Sequence, residues 1–271
     1  MKSTKFLFCV LLVSSVVIGC KKIADSANDI KVSEDNALLF GAANDISSIA
    51  DQSIEESKIS SLKTIDVAAV LGDSVTVVKD DTNNIVTVDF GGGYTALSGR
   101  TFKGKIIITH NGKKIKSPGF IGNIKFDNFY INENEINESS SIKIENVGPS
   151  GLFEMVWNNI STLNIIKADG TKIYMTGNIV RSQKEGIKTP AYSDDVFSIT
   201  GKAQGTASNG VAFTYEITKE LIKNACKHIV SGAITYTSGA GFLDKKLDFG
   251  DGTCDGKATL TVLGNSYEIN L

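Results

Sequence analysis

Three aspartates close to the C-terminus make the most conspicuous chemical grouping in this chain. Asp248, Asp251 and Asp255 are interleaved with glycines in Leu247-Asp248-Phe249-Gly250-Asp251-Gly252-Thr253-Cys254-Asp255. Carboxylates on a tight turn can gather the several oxygens that calcium requires, and Asp251, Thr253 and Asp255 match the opening of an EF-hand loop. Val262 stands where the bidentate glutamate belongs, so turn formation is the preferred reading and the three aspartates remain calcium candidates only. The chain has only two histidines, His110 and His228. Neither accompanies a Gly-x-Ser-x-Gly elbow, so a serine triad is not expected. Asp127 and the Asp194-Asp195 pair have the residue types of a glycosidase, which sets two carboxylates across a sugar. Phe129, Tyr130, Trp157, Tyr174 and Tyr192 could stack against sugar rings, but alternation with polar neighbours assigns them first to a core. No catalytic residue and no cofactor is assigned.

The four cysteines divide by position. Cys9 lies inside the apolar run Phe6 to Ile18, and Cys20 directly follows Gly19. Cys226 and Cys254 remain, and in an oxidising compartment two leftover cysteines most simply form a disulfide. Lys2 and Lys5, the apolar run and the small residue before Cys20 have the layout of a secretory leader, too short to span a bilayer.

The elements that carry these residues follow from periodicity. Residues 20–32 are small and polar and read as a flexible tether. Ser33 has the character of an N-cap, with Glu34 and Asp35 in the first turn of an amphipathic helix over 33–58. Leu39, Ala42, Ala43, Ile46, Ile49, Ala50 and Ile54 form its apolar stripe, and Asp45, Ser48, Asp51 and Glu55 its expected wet side. From about residue 70 the period becomes two, with β-branched runs such as Val75–Val78, Ile85–Val88 and Lys105–Thr109. Asn111-Gly112, Asp169-Gly170, Asn209-Gly210 and Gly264-Asn265 punctuate such runs as hairpin signals of type I′. Residues 70–271 are therefore expected to be an all-β domain, a large antiparallel meander curled into a sandwich or open barrel. An internal echo marks two corners of it: Val88-Asp89-Phe90-Gly91 is answered by Leu247-Asp248-Phe249-Gly250.

Val17-Ile18-Gly19-Cys20 resembles the lipobox of bacterial lipoproteins, in which the leader, here residues 1–19, is removed and the cysteine acylated. Together with the early helix and the echoed Asp-Phe-Gly block, it makes the chain similar to a family of uncharacterised outer-membrane lipoproteins of Bacteroidota. That resemblance implies acylation of Cys20 with chains such as palmitate, and residence at the outer membrane on its periplasmic or surface face. Removing the 19 leader residues moves the formal net charge from −2 to −4, because Lys2 and Lys5 depart. A mildly acidic chain offers no basic face for nucleic acid, so none is expected as a partner. The expected partner is the membrane, through the lipid, with a glycan or protein ligand left open. The expected function is a non-catalytic binding or structural module; a hydrolase of envelope polymers or glycans is the alternative.

Overall fold

The computed structural model describes residues 6–55, 74–96, 99–148, 154–157, 162–186, 194–239 and 245–271, with side chains at 6–27, 55 and 154–157 outside that description. One helix, α1 (Phe6–Glu55), precedes an antiparallel sheet. Its strands are β1 (Thr76–Asp80), β2 (Ile85–Asp89), β3 (Tyr94–Thr95), β4 (Thr101–His110), β5 (Ile121–Ile131), β6 (Asn134–Ile136), β7 (Ile142–Asn146) and β8 (Glu154–Trp157). The series continues with β9 (Thr162–Ile166), β10 (Lys172–Glu185), β11 (Val196–Thr206), β12 (Ala212–Lys223), β13 (Ser231–Ser238), β14 (Lys245–Asp251), β15 (Lys257–Val262) and β16 (Asn265–Asn270). The meander runs β1-β2-β4-β5-β6-β9-β10-β11-β12-β13-β14-β15-β16 and is open, ending on β1 and β16. Midway it divides: β5 and β10 are long enough for each to pair with two short strands, β6 and β9 along one half, β7 and β8 along the other.

The helix lies in the hollow of this sheet. It meets β2 near one end of the strand order, β9 and β10 in the middle, and β15 and β16 at the other end. The expected apolar stripe is buried as its period requires, with Leu39, Ile46 and Ile49 fully enclosed. The expected wet side is not wet. Asp45, Ser48 and Asp51 are buried too, as are Asn36, Asn44 and Gln52, because the curved sheet covers the helix on nearly every side.

Two further expectations about the helix need correction. Ser33 is no cap: its hydroxyl donates to the Asp29 carbonyl one turn earlier, the reverse of a cap, which accepts from an amide further along the helix. Nor does a tether extend to residue 32, since Asn28–Val32 are helical and Asp29 and Val32 are buried. Residues 56–58 of the expected helix lie outside the described residues.

The strands missed by periodicity are the instructive ones. In β5, Phe126 and Phe129 both point inward although three positions apart. Asn128, at φ 46°, takes up the extra residue where the β4 partner register slips between Lys103 and Lys105. Phe129 then packs between Phe90 and Phe102, with centroids 5.7 Å and 6.3 Å away. Two of the hairpins depart from type I′, whereas Leu263-Gly264, with φ 50° and 78°, keeps it. At Asp169-Gly170 and Asn209-Gly210 only the glycine has positive φ, and Gly170 and Gly210 donate back to Lys167 and Ala207. That is a type I turn closed by a left-handed glycine, the longer alternative to the two-residue turn. The two-residue turn joining β15 and β16 is Leu263-Gly264, one residue earlier than expected, since Val262 pairs with Asn265.

Cys226 and Cys254 form the disulfide, with Cα atoms 5.8 Å apart, and tie the β12–β13 link to the β14–β15 link. The loop spans 28 residues, for which chain entropy gives about 3–4 kcal/mol of stabilisation. Reduction should lower the unfolding free energy by that amount, seen as a fall in the denaturant midpoint, while leaving the far-ultraviolet circular dichroism unchanged at low denaturant. An unchanged midpoint would show that the link does not restrain the unfolded chain.

Candidate functional site

Four aspartates of the buried helix each meet a cationic partner outside it. Asp29 Oδ1 lies 2.9 Å from Lys245 Nζ and accepts the Ser238 hydroxyl at 3.1 Å. Asp35 takes Lys167 Nζ at 2.8 Å on one oxygen, and the Ser208 amide and hydroxyl at 2.7 Å and 2.6 Å on the other. Burial is the largest influence on Lys167 and works against its charged form, but the bond to Asp35 together with the nearby charges of Asp35 and Asp169 outweighs it and raises its pKa. Asp51 accepts from Arg181, whose guanidinium lies 3.3 Å above the Phe197 ring. Carboxylates buried in an apolar sheet demand such partners, because an unpaired charge there costs several kcal/mol.

Asp45 faces Arg100 Nε at 3.0 Å, and Arg100 also donates to the Lys227 carbonyl at 3.1 Å. The guanidinium reaches Asp45 by crossing the helix at Gly41. A Cβ at position 41 would stand 3.1 Å from Arg100 Nη2, so glycine one turn before Asp45 gives the arginine its path. Burial pushes the Asp45 carboxyl up to about 6, with Arg100 and Lys223 pulling it back down. Lys223 is itself pushed down to about 8 by burial, against the pull of Asp45, and its ammonium donates to the carbonyls of Asn224 and Cys226.

Asn36 and Gln52 are buried with no hydrogen-bond partner at either end of the amide, and Asn44 Oδ1 likewise has none among the described residues. The helix–sheet contact is thus polar for a domain interior. It contrasts with the apolar packing around β2, β4 and β5, where Phe90, Phe102 and Phe129 meet beside Val86, Val88, Ile106 and Ile108.

Where the sheet stays open, one stripe of the helix shows through. Glu34, Ala37, Leu38 and Gly41 form the floor of a cavity of about 140 Å³, walled by Arg100, His228, Ile229, Phe249, Asn270 and Leu271. Burial lowers the His228 pKa, helped by Arg100 and Lys227, so its ring is neutral at pH 7. The volume is below the several hundred Å³ of pockets that enclose larger ligands, and it has room for only a few heavy atoms.

The residues singled out by type take separate places. Asp248 Oδ1 accepts the Gly250 amide at 3.0 Å, Asp251 accepts the Thr253 amide and hydroxyl, and Asp255 accepts the Lys257 amide. Asp89 does the same for Gly91 at 2.8 Å, so the echoed Asp-Phe-Gly blocks are equivalent corners, with Gly91 and Gly250 at φ 58° and 89°. Each calcium candidate is engaged by its own turn, and no group of three metal-ligating side chains stands together among the described residues. Asp127 is exposed on β5, while Asp195 heads β11, with three strands between them in the sheet order, and accepts Gln183 at 2.6 Å. His110 packs on Phe120 with centroids 5.9 Å apart. Phe129 is core, Tyr130 lies beneath Lys103, and Tyr174 is exposed; Tyr192 and the Trp157 side chain lie outside the described residues. The four helix aspartates were not recognised from sequence as one set. Their signal, acidic residues on a helix rich in Asn and Ser, is shared by any solvated helix.

Two outcomes test this site. Asp51→Ala leaves Arg181 buried without its counter-charge and should destabilise by about 3–5 kcal/mol in chemical denaturation, whereas Asp51→Leu with Arg181→Met should cost far less. Additive losses in the double variant would mean that the pair does not interact. Asp45 has a folded pKa above that of the unfolded chain, so its stabilising contribution is complete below pH ~4 and is lost as pH rises through 6. Its carboxyl carbon should titrate near pH 6 by NMR, and a midpoint at or below 4 would show that Arg100 outweighs burial.

No protein-family model, no curated protein and no solved structure matches the chain.

Proposed function

We propose that this protein is a lipid-anchored envelope protein, acylated on Cys20, whose β-domain is a non-catalytic binding or structural module held at the outer membrane. The leader pattern that ends in Gly19-Cys20 is the ground for the anchor. One structural observation carries the rest of the reading. The helix bearing Cys20 continues without interruption into the centre of the fold, and Asn28, eight residues on, accepts a hydrogen bond from Asn209. Two or more acyl chains on such a cysteine give stable membrane attachment. The interior carboxylates support a structural role, because Asp29, Asp35, Asp45 and Asp51 are each matched to a lysine or arginine that locks helix to sheet. Among the described residues no helix is long and apolar enough to cross a membrane.

Cys20→Ala should leave the protein uncleaved or release it from the membrane fraction, with the mass of the acyl groups missing. A correctly processed variant that still partitions wholly with lipid would place the anchor elsewhere.

A further inference from the structure

We infer that one end of the β-domain, the end carrying the Lys167–Gly170, Ala207–Gly210 and Leu263-Gly264 turns, rests on the bilayer that holds the anchor. The inference rests on acylation of Cys20 and adds to it a face and a partner, the phospholipid surface.

The helix leaves the sheet through this end. Asn28 is bonded to Asn209 in one turn, Asp35 to Lys167 and Ser208 in two of them, and Asp29 to Lys245 at the head of β14. The register brings the fourth corner alongside. Lys246 pairs with Thr261, so the level of Lys245 is that of Val262, and Leu263 is the next residue out. Cys20 lies eight residues before Asn28 on the same helix, which at 1.5 Å per residue is about 12 Å, and even a fully extended chain would span only about 26 Å. Strand β10 alone runs 14 residues, about 46 Å at ~3.3 Å per residue, so the domain cannot turn its opposite end to the membrane on so short a lead.

The Leu263-Gly264 turn at this end carries an unusual residue for its position. Leu263 is 60 % exposed at φ 50°, a left-handed conformation that leucine rarely adopts and that hairpin tips ordinarily fill with Asn, Asp or Gly. In water a leucine there gains nothing. At a bilayer surface it enters the acyl boundary, while the polar turns around Asp169 and Asn209 face the headgroups.

The test uses the acylated mature protein in phosphatidylethanolamine–phosphatidylglycerol vesicles with brominated acyl chains. Trp157→Phe removes the one native tryptophan. Leu263→Trp then reports this end, and Thr253→Trp the opposite one. The inference expects loss of most tryptophan emission at 263 and none at 253. In the unaltered acylated protein, amide exchange at 208–210 and 263–265 should slow on vesicles while that at 252–256 stays the same. This second reading decides the matter if the tryptophan variants fold poorly. Mass spectrometry separates the two layers of the proposal. A chain without acyl groups on Cys20 overturns anchor and face together. An acylated chain quenched at 253, or at neither position, overturns the face alone.

Discussion

Four carboxylates inside an apolar sheet are the constraint on which this structure turns. A buried aspartate is tolerable only with a counter-charge or donors at close range, and Asp29, Asp35, Asp45 and Asp51 find theirs on four separated parts of the sheet. Hydrophobic contact is non-directional and would accept the helix at many rotations and heights. Charge pairing does not. A shift of one residue would move every aspartate off its partner by about 100° of rotation and leave four charges unpaired. The pairs therefore specify where the helix sits, and the sheet must curl far enough for strands as distant in order as β4, β10 and β14 to reach it.

That arrangement explains why the two halves of the interior differ. Where β2, β4 and β5 pack on one another, Phe90, Phe102 and Phe129 with Val86, Val88, Ile106 and Ile108 supply the contact. Along the helix the interior adds amides, hydroxyls and ion pairs to the apolar stripe, with Asn36 and Gln52 buried and without a hydrogen-bond partner among the described residues. An interface with so many polar groups stabilises less per unit area than an apolar one and discriminates more between alternative seatings. The disulfide stands on the same side of the balance, restraining two connections beside the opening where the sheet does not close.

The opening is a consequence of sheet geometry. Sixteen strands among the described residues, unequal in length and two of them bridging pairs of short ones, curve without closing, and the helix stripe from Glu34 to Gly41 floors a cavity beside the last strand. Gly41 links this stripe to the lock, since the arginine that crosses it both walls the cavity and neutralises Asp45. A molecule entering the cavity would therefore touch the residue that seats the helix.

Local chemistry in the chain sufficed for the class of the fold, the strands with clean alternation, the disulfide and the corners at Asp89 and Asp248. Each depends on interactions within a few residues or on a pairing with no competitor. Other features needed contacts distant in sequence. Strand β5 hid behind the displacement at Asn128, because a bulge breaks the period by which strands are read. Ser33 has every local property of a cap and is mid-helix, because Asp29 is held in the helix by Lys245, more than two hundred residues away. Asp45 and Asp51 stand at positions that a solvated helix face would also fill with aspartate. Only the tertiary structure made that face an interior, since burial belongs to the enclosing sheet and not to the helix it encloses.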